Sequence, residues 1–175
     1  MTGIQRYAAF SDDPTGGNPA GVVLDASHLT DAQMQAIAAE VGYSETAFLT
    51  ADRDGGSRVR YFSPLAEVPF CGHATVATAV ALGPGEHRFV TNVGEVPVTV
   101  DDAGRATLTS VATAVADLAD ADLTALLAAL RWSRDDLDGT LPPRVAYAGA
   151  YHPVLAVRSR RRLAPLGPTG SWSRA

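Results

Sequence analysis

The sequence predicts an α+β fold in which a curved, mostly antiparallel sheet wraps around one central buried helix. Three observations lead there. Residues 74–82 carry no charge on any face, and only small residues and threonine interrupt the apolar ones; a helix apolar all round is normally buried all round. Short segments that read as strands flank it on both sides, bounded by Gly, Asn, Asp and Pro. Taken in order, the strands surround two helices, one of them fully apolar, and that favours a sheet closing on the apolar one.

The elements follow in turn. Ile4-Gln5-Arg6-Tyr7-Ala8-Ala9-Phe10 reads as a strand, and Asp13-Pro14-Thr15-Gly16-Gly17-Asn18-Pro19 is a concentrated turn signal. Gly21-Val22-Val23-Leu24 is the next strand. Thr30 and Gln33 have capping-box spacing, Met34, Ile37, Ala38 and Val41 recur at i, i+3, i+4 and i+7, and Gly42 terminates that helix. A strand over residues 45–50 leads through the hairpin Asp52-Arg53-Asp54-Gly55-Gly56 into a returning strand. That strand puts Val59 and Tyr61 on one face, with Arg58, Arg60 and Phe62 on the other.

Residues 63–70 form a loop with two prolines that delivers the chain into Cys71-Gly72-His73-Ala74-Thr75 and the apolar helix, which Gly83-Pro84-Gly85 ends. Strands are expected at residues 88–91, 95–100 and 105–109, with turns at Asn92-Val93-Gly94 and Asp102-Ala103-Gly104. Residues 111–122 are Ala/Asp-rich and read as a linker entering a helix at 123–130; strands at 144–147 and 154–158 follow. The tail 167–175 lacks periodicity and is expected to be disordered. There is no internal repeat.

Composition excludes several functions. A net charge of -5 without a basic stripe argues against nucleic acid as a partner. The run Arg158-Ser159-Arg160-Arg161-Arg162 reads as a solvated strand end or loop. No apolar stretch approaches the length of a membrane span, and the N-terminus leads straight into folded-looking sequence without a signal peptide, so a cytoplasmic location is expected. One cysteine rules out an internal disulfide framework, and the four histidines show no metal-ligand spacing, so no metal is expected. Nucleotide-binding glycine motifs and the G-x-S-x-G elbow are absent from the sequence.

Candidate chemistry lies in a few residues, each open to two readings. Glu45 stands between Ser44 and Thr46 where a helix gives way to a strand, with Ala47 and Phe48 after it. A carboxylate among apolar side chains loses hydration, which favours its protonated form and suits it to proton transfer; a surface glutamate opening a strand explains it equally. Gly72 and His73 begin the apolar helix, where free amides attract anions and a glycine allows close approach. His73 adds a hydrogen bond or a second proton-transfer group; a capping glycine beside a partly buried histidine is the alternative. Cys71 is either a helix-activated thiol or a packed one. Asn18 offers donor and acceptor in a turn that needs no further explanation. Asp101-Asp102 and Asp135-Asp136 read as hairpin and helix-end residues.

Read together, Thr15-Gly16-Gly17-Asn18-Pro19-Ala20-Gly21-Val22-Val23-Leu24, Met34-Gln35-Ala36-Ile37-Ala38, Ser44-Glu45-Thr46-Ala47-Phe48, Arg60-Tyr61-Phe62-Ser63-Pro64 and Glu67-Val68-Pro69-Phe70-Cys71-Gly72-His73-Ala74-Thr75 occur in an order that resembles the PhzF-like phenazine-biosynthesis family. The resemblance runs from about residue 4 to 166. It implies a diaminopimelate-epimerase-like fold of two similar domains, each a sheet around a central helix, with the active site in the cleft between them. It also implies cofactor-independent isomerisation of a small, anionic cyclic metabolite, with a catalytic glutamate that matches Glu45. Gly72, His73 and Asn18 match site positions of the family, and Cys71 beside them is a further substrate-binding candidate. Related epimerases use a cysteine base in a cysteine-glycine-asparagine setting; here Cys71 precedes Gly72-His73 and Glu45 is present, which favours the glutamate.

The resemblance divides the chain into an epimerase-like N-terminal domain (1–115), a linker helix with an incomplete start of a second domain (116–166), and the tail, which looks unlike the family. Family members are longer, so half of the cleft is expected to be missing. Besides a small-molecule substrate, the expected partners are a second copy of the chain or a separately encoded C-terminal half. Two alternatives stay open: an inactive remnant or association module, and a cysteine-based racemase or epimerase.

Overall fold

The apolar helix is the axis of the first half of the chain. The computed structural model describes residues 3–52, 56–164 and Leu166. Residues 1, 2, 53–55, 165 and 167–175 lie outside the described residues, among them most of the expected turn at 52–56 and the expected tail. The chain divides into two units, one of Met1–Ala112 with Ala148–Ala150, the other of Thr113–Tyr147 with Tyr151–Ala175.

Among the described residues of the first unit, eight strands form one sheet: β1 (Gln5–Ala9), β2 (Asn18–Val23), β3 (Glu45–Ala51), β4 (Ser57–Phe62), β5 (Glu67–Val68), β6 (Gly85–Thr91), β7 (Gly94–Val100) and β8 (Ala106–Leu108). Two helices accompany it, α1 (Asp31–Val41) and α2 (Gly72–Leu82). The strand order is β1-β2-β3-β4-β6-β7-β8, with β5 beside β4. Only β2/β3 and β4/β6 pair in parallel. α2 contacts both edge strands, β1 and β8, as well as β2, β3 and β7 between them. A sheet whose two edges meet one helix is curled around it.

Small side chains make that closure possible. Ala74, Ala77 and Ala79 of α2 pack with Ala20, Val22, Ala47, Leu49, Val59, Tyr61, Phe89, Val96, Val98 and Val100 of the sheet. Thr75 and Thr78 are wholly buried. Their hydroxyls donate to the Cys71 and Ala74 carbonyls, which satisfies them inside their own helix. Gly83, at φ 97, ends α2.

The outer face of β2, β3 and β4 is covered as well. Phe48 and Phe62 meet Val23, Ala26, Met34 and Ala38 beneath α1. The capping box of Thr30 and Gln33 forms, and Gly42 closes α1 at φ 71. Alternation along β3 therefore sends Ala47 and Leu49 to α2, and Phe48 to α1. Arg60 joins Asp31 to Glu67 by ion pairs and lies over the Phe62 ring.

The loop expected at residues 63–70 contains the short strand β5, which Glu67 and Val68 form against Phe62 and Tyr61. Residues 111–122, which lead from the first unit into the second, are not a plain linker. They hold β9 (Ala114–Asp117) and the first turn of α3 (Asp120–Leu130). β9 is paired because β10 (Arg144–Tyr147) offers its edge. The strand expected at 154–158 lies earlier, as β11 (Tyr151–Val154). The turn between β10 and β11 sets that register, with Gly149 at φ 93. Residue 157 makes only an isolated bridge to Leu137.

The arginine run is not merely solvated. It enters a short helix, α4 (Arg160–Leu163), in which Arg162 pairs with Asp136 and donates to the Arg131 carbonyl. This unit's small core is Leu123, Leu127 and Leu137, flanked by Leu118, Trp132, Leu155 and Val157. No helix among the described residues is long and apolar enough to cross a membrane.

Two substitutions test this packing. Thr46 is fully buried on the α1 side of β3, and its hydroxyl has no partner. Thr46→Val keeps the shape and removes an unpaired polar atom, so it should raise unfolding stability by about 1 kcal/mol. Gly17, at φ 67, would press a Cβ into the Ala9 carbonyl. Gly17→Ala should lower the melting temperature, at a cost of about 1–3 kcal/mol.

Candidate active site

Chain direction brings the start of β3 and the start of α2 together. β3 begins at Glu45, directly after the α1 cap, and its parallel register sets Glu45 beside Ala20. Glu45 shares a face with Ala47 and Leu49, so its side chain rises on the α2 side. α2 starts there because Cys71 is extended, at φ -147, while its carbonyl accepts the Thr75 amide at 3.0 Å. The preceding amides of the first turn have no partner within the helix.

Three side chains converge at this point. His73 Nε2 lies 3.6 Å from Glu45 Oε2 and 3.5 Å from Ser44 Oγ. Its Nδ1 lies 3.1 Å from Cys71 Sγ. One donor atom from each of Glu45, Cys71 and His73 lies within 4.8 Å of the other two. His73 is buried, whereas the Glu45 side chain remains 22% exposed, more open than its apolar neighbours in sequence suggested.

Burial pushes the Cys71 thiol up to about 12, and the negative charge and hydrogen bonding of Glu45 add to the effect. The Ala74 and His73 amides oppose this and are outweighed. The thiol therefore keeps its proton at neutral pH, the wrong state for a base, which weighs against the cysteine-based alternative. A protonated thiol is a donor, and His73 Nδ1 is the ring nitrogen it faces. The other ring nitrogen, Nε2, faces Ser44 and Glu45.

A buried chain of hydroxyls supports this corner from below. Thr75 Oγ1 donates to the Cys71 carbonyl at 2.7 Å, so the Tyr61 hydroxyl donates to Thr75 Oγ1, also at 2.7 Å. The sequence reading missed this pair; the signal was a threonine in an otherwise apolar helix. Above the corner the space is open, since a Cβ on Gly72 would meet nothing within 4 Å. Local packing thus does not demand glycine at that position.

Asn18 is placed differently from the other candidates. It opens β2 opposite Ala9, at the same end of the sheet as Glu45, and is exposed. Its side chain makes no hydrogen bond to Glu45 or His73 among the described residues. A cleft of 430 Å³ along Tyr7, Phe10, Val76, Val80 and Arg105 does not include the three converging groups.

A sheet curled around one helix is the epimerase-like α+β fold. The chain belongs to the phenazine biosynthesis-like protein family (PhzC-PhzF), whose pattern matches residues 7–172. The match continues past residue 166 into the tail that had looked unlike the family. YddE of Salmonella typhimurium, an uncharacterized isomerase, is 55% identical over 86 residues, 47% of this chain and 29% of that protein. The trans-2,3-dihydro-3-hydroxyanthranilate isomerase of Pseudomonas aeruginosa is 37% identical over 106 residues, 56% of this chain and 38% of that protein.

Among solved structures, a PhzF-family phenazine biosynthesis protein of Bacillus anthracis superposes with TM-score 0.73 at 32% identity. That match covers 91% of this chain and 57% of the other. A predicted epimerase of Pseudomonas aeruginosa gives 0.81 at 28% identity, over 92% and 61%. The chain thus spans less than two thirds of the length of these proteins.

The thiol provides a pH test. Its proton affinity in the folded state exceeds the ordinary value of 9.0, so the stability it contributes is complete below pH 9. That contribution is lost as pH rises toward about 12. Cys71→Ser should flatten the alkaline fall in unfolding stability followed by denaturant titration. In the native protein, alkylation of Cys71 at neutral pH should be far slower than that of a free thiol.

Proposed function

We propose that the chain is a PhzF-like isomerase in which Glu45 moves a proton on a small anionic cyclic metabolite without a cofactor. The observation that carries this is the Glu45 carboxylate, 3.6 Å from His73 Nε2 beside the open side of Gly72. Glu45 takes a proton from a substrate carbon, the freed electron pair shifts along the conjugated system, and Glu45 returns a proton at another carbon. A hydrogen on His73 Nε2 orients the carboxylate and supports its charged form before the proton is taken and after it is returned. The start of α2, with Gly72 unobstructed, holds the substrate's anionic group. Asn18 is the outlying polar contact at the same sheet end. The function of the Pseudomonas aeruginosa isomerase supports the substrate class.

The test is deuterium uptake from heavy water into trans-2,3-dihydro-3-hydroxyanthranilate, followed by NMR. The wild-type chain should catalyse it, and Glu45→Gln should slow it by about 10²–10⁴-fold, the usual worth of a general acid/base. Exchange that survives in Glu45→Gln, or that the wild type never catalyses, removes the assignment.

A further inference from the structure

We propose that Glu45, Cys71 and His73 also form a binding site for a divalent cation of the zinc type, with the open side of Gly72 left for a fourth, exchangeable ligand. The donors come from two elements and follow no spacing rule in the sequence, yet one atom of each lies within 4.8 Å of the others. In a tetrahedral site with bonds of about 2.0–2.3 Å, donors stand roughly 3.5 Å apart. The 3.1 Å between His73 Nδ1 and Cys71 Sγ is already close to that value, while the 3.6 Å to Glu45 Oε2 is measured from the other ring nitrogen, Nε2, which an ion bound at Nδ1 does not use. The carboxylate has to close the remaining distance, and Glu45, the partly exposed member, is the side chain with room to move.

The donor set selects the ion. Sulfur with imidazole favours zinc and its soft or borderline neighbours over magnesium or calcium, which prefer all-oxygen shells. One thiolate and one carboxylate balance a charge of +2, which suits a half-buried position. Three protein ligands and one open position match an exchangeable site rather than a closed structural one. On binding, the Cys71 S–H bond breaks, its proton passes to the buffer and the sulfur–metal bond forms. The imidazole binds through one nitrogen and keeps its hydrogen on the other, so nothing is oxidised or reduced. A bound cation occupies the Glu45 lone pair that a substrate proton would need. The binding itself does not depend on the catalytic reading.

Cobalt(II) is the probe. Cys71 is the only cysteine in the chain, so a thiolate-to-cobalt charge-transfer band reports on this site alone. Titrating the full chain should produce that band with the visible absorption of tetrahedral cobalt, saturating at one ion per chain, and zinc should abolish it. Glu45→Gln and His73→Gln should each weaken binding by about tenfold or more, since even outer-shell partners are worth that much. His152→Gln should leave it unchanged, with thermal unfolding confirming that each variant is folded. Absence of the band at saturating cobalt overturns the proposal. So does a band whose affinity ignores both Glu45→Gln and His73→Gln. Because the readout is binding, its failure and the failure of deuterium exchange are separate results.

Discussion

Because α2 carries alanine, threonine and valine but no charge, strands from both edges of the sheet can approach it, and the curl of the first unit follows. A longer or charged side chain at Ala74 or Ala79, both wholly buried, would hold the sheet away. The two buried threonines do not break this rule, since each donates to a carbonyl of the preceding turn. The outer layer under α1 then completes β2 and β3 as strands apolar on both faces, and β3 carries Glu45.

The same helix supplies the polar corner of the site. Its first amides cannot pair within the helix, so a fully apolar element ends in a polar point at the one place where β3 also begins. The Tyr61–Thr75–Cys71 chain fixes the height and rotation of that point. His73 is then held between a thiol that keeps its proton and a carboxylate open to solvent. The ring thus faces the thiol through one nitrogen and the carboxylate through the other.

The second unit has a different character. Its core is three leucines with a few partners, and the strands β9 and β11 are exposed along their whole length. Local turns and ion pairs do much of the ordering, as where Ser133 and Asp136 cap each other and Arg144 meets Asp117. That is why composition, which tracks buried apolar surface, was a weak guide to its elements. β9 exists because β10 offers it an edge, and no period within Ala114–Asp117 announces it.

The sequence by itself determined the fold class, the buried helix, the α1 capping box and the ordered motifs that mark the family. Each of these is written in local periodicity, turn chemistry or residue order. Glu45, Gly72 and His73 were legible as candidates for the same reason, because helix ends and strand starts are local events. Only the tertiary structure decided that Glu45, Cys71 and His73 meet, since the parallel pairing of β2 with β3 and the seating of α2 are long-range. It also decided the state of Cys71, because a thiol's proton depends on burial and on a carboxylate from another element. Tyr61 and Thr75 stayed invisible for the same physical reason: a hydrogen bond between a strand and a helix leaves no spacing in the chain.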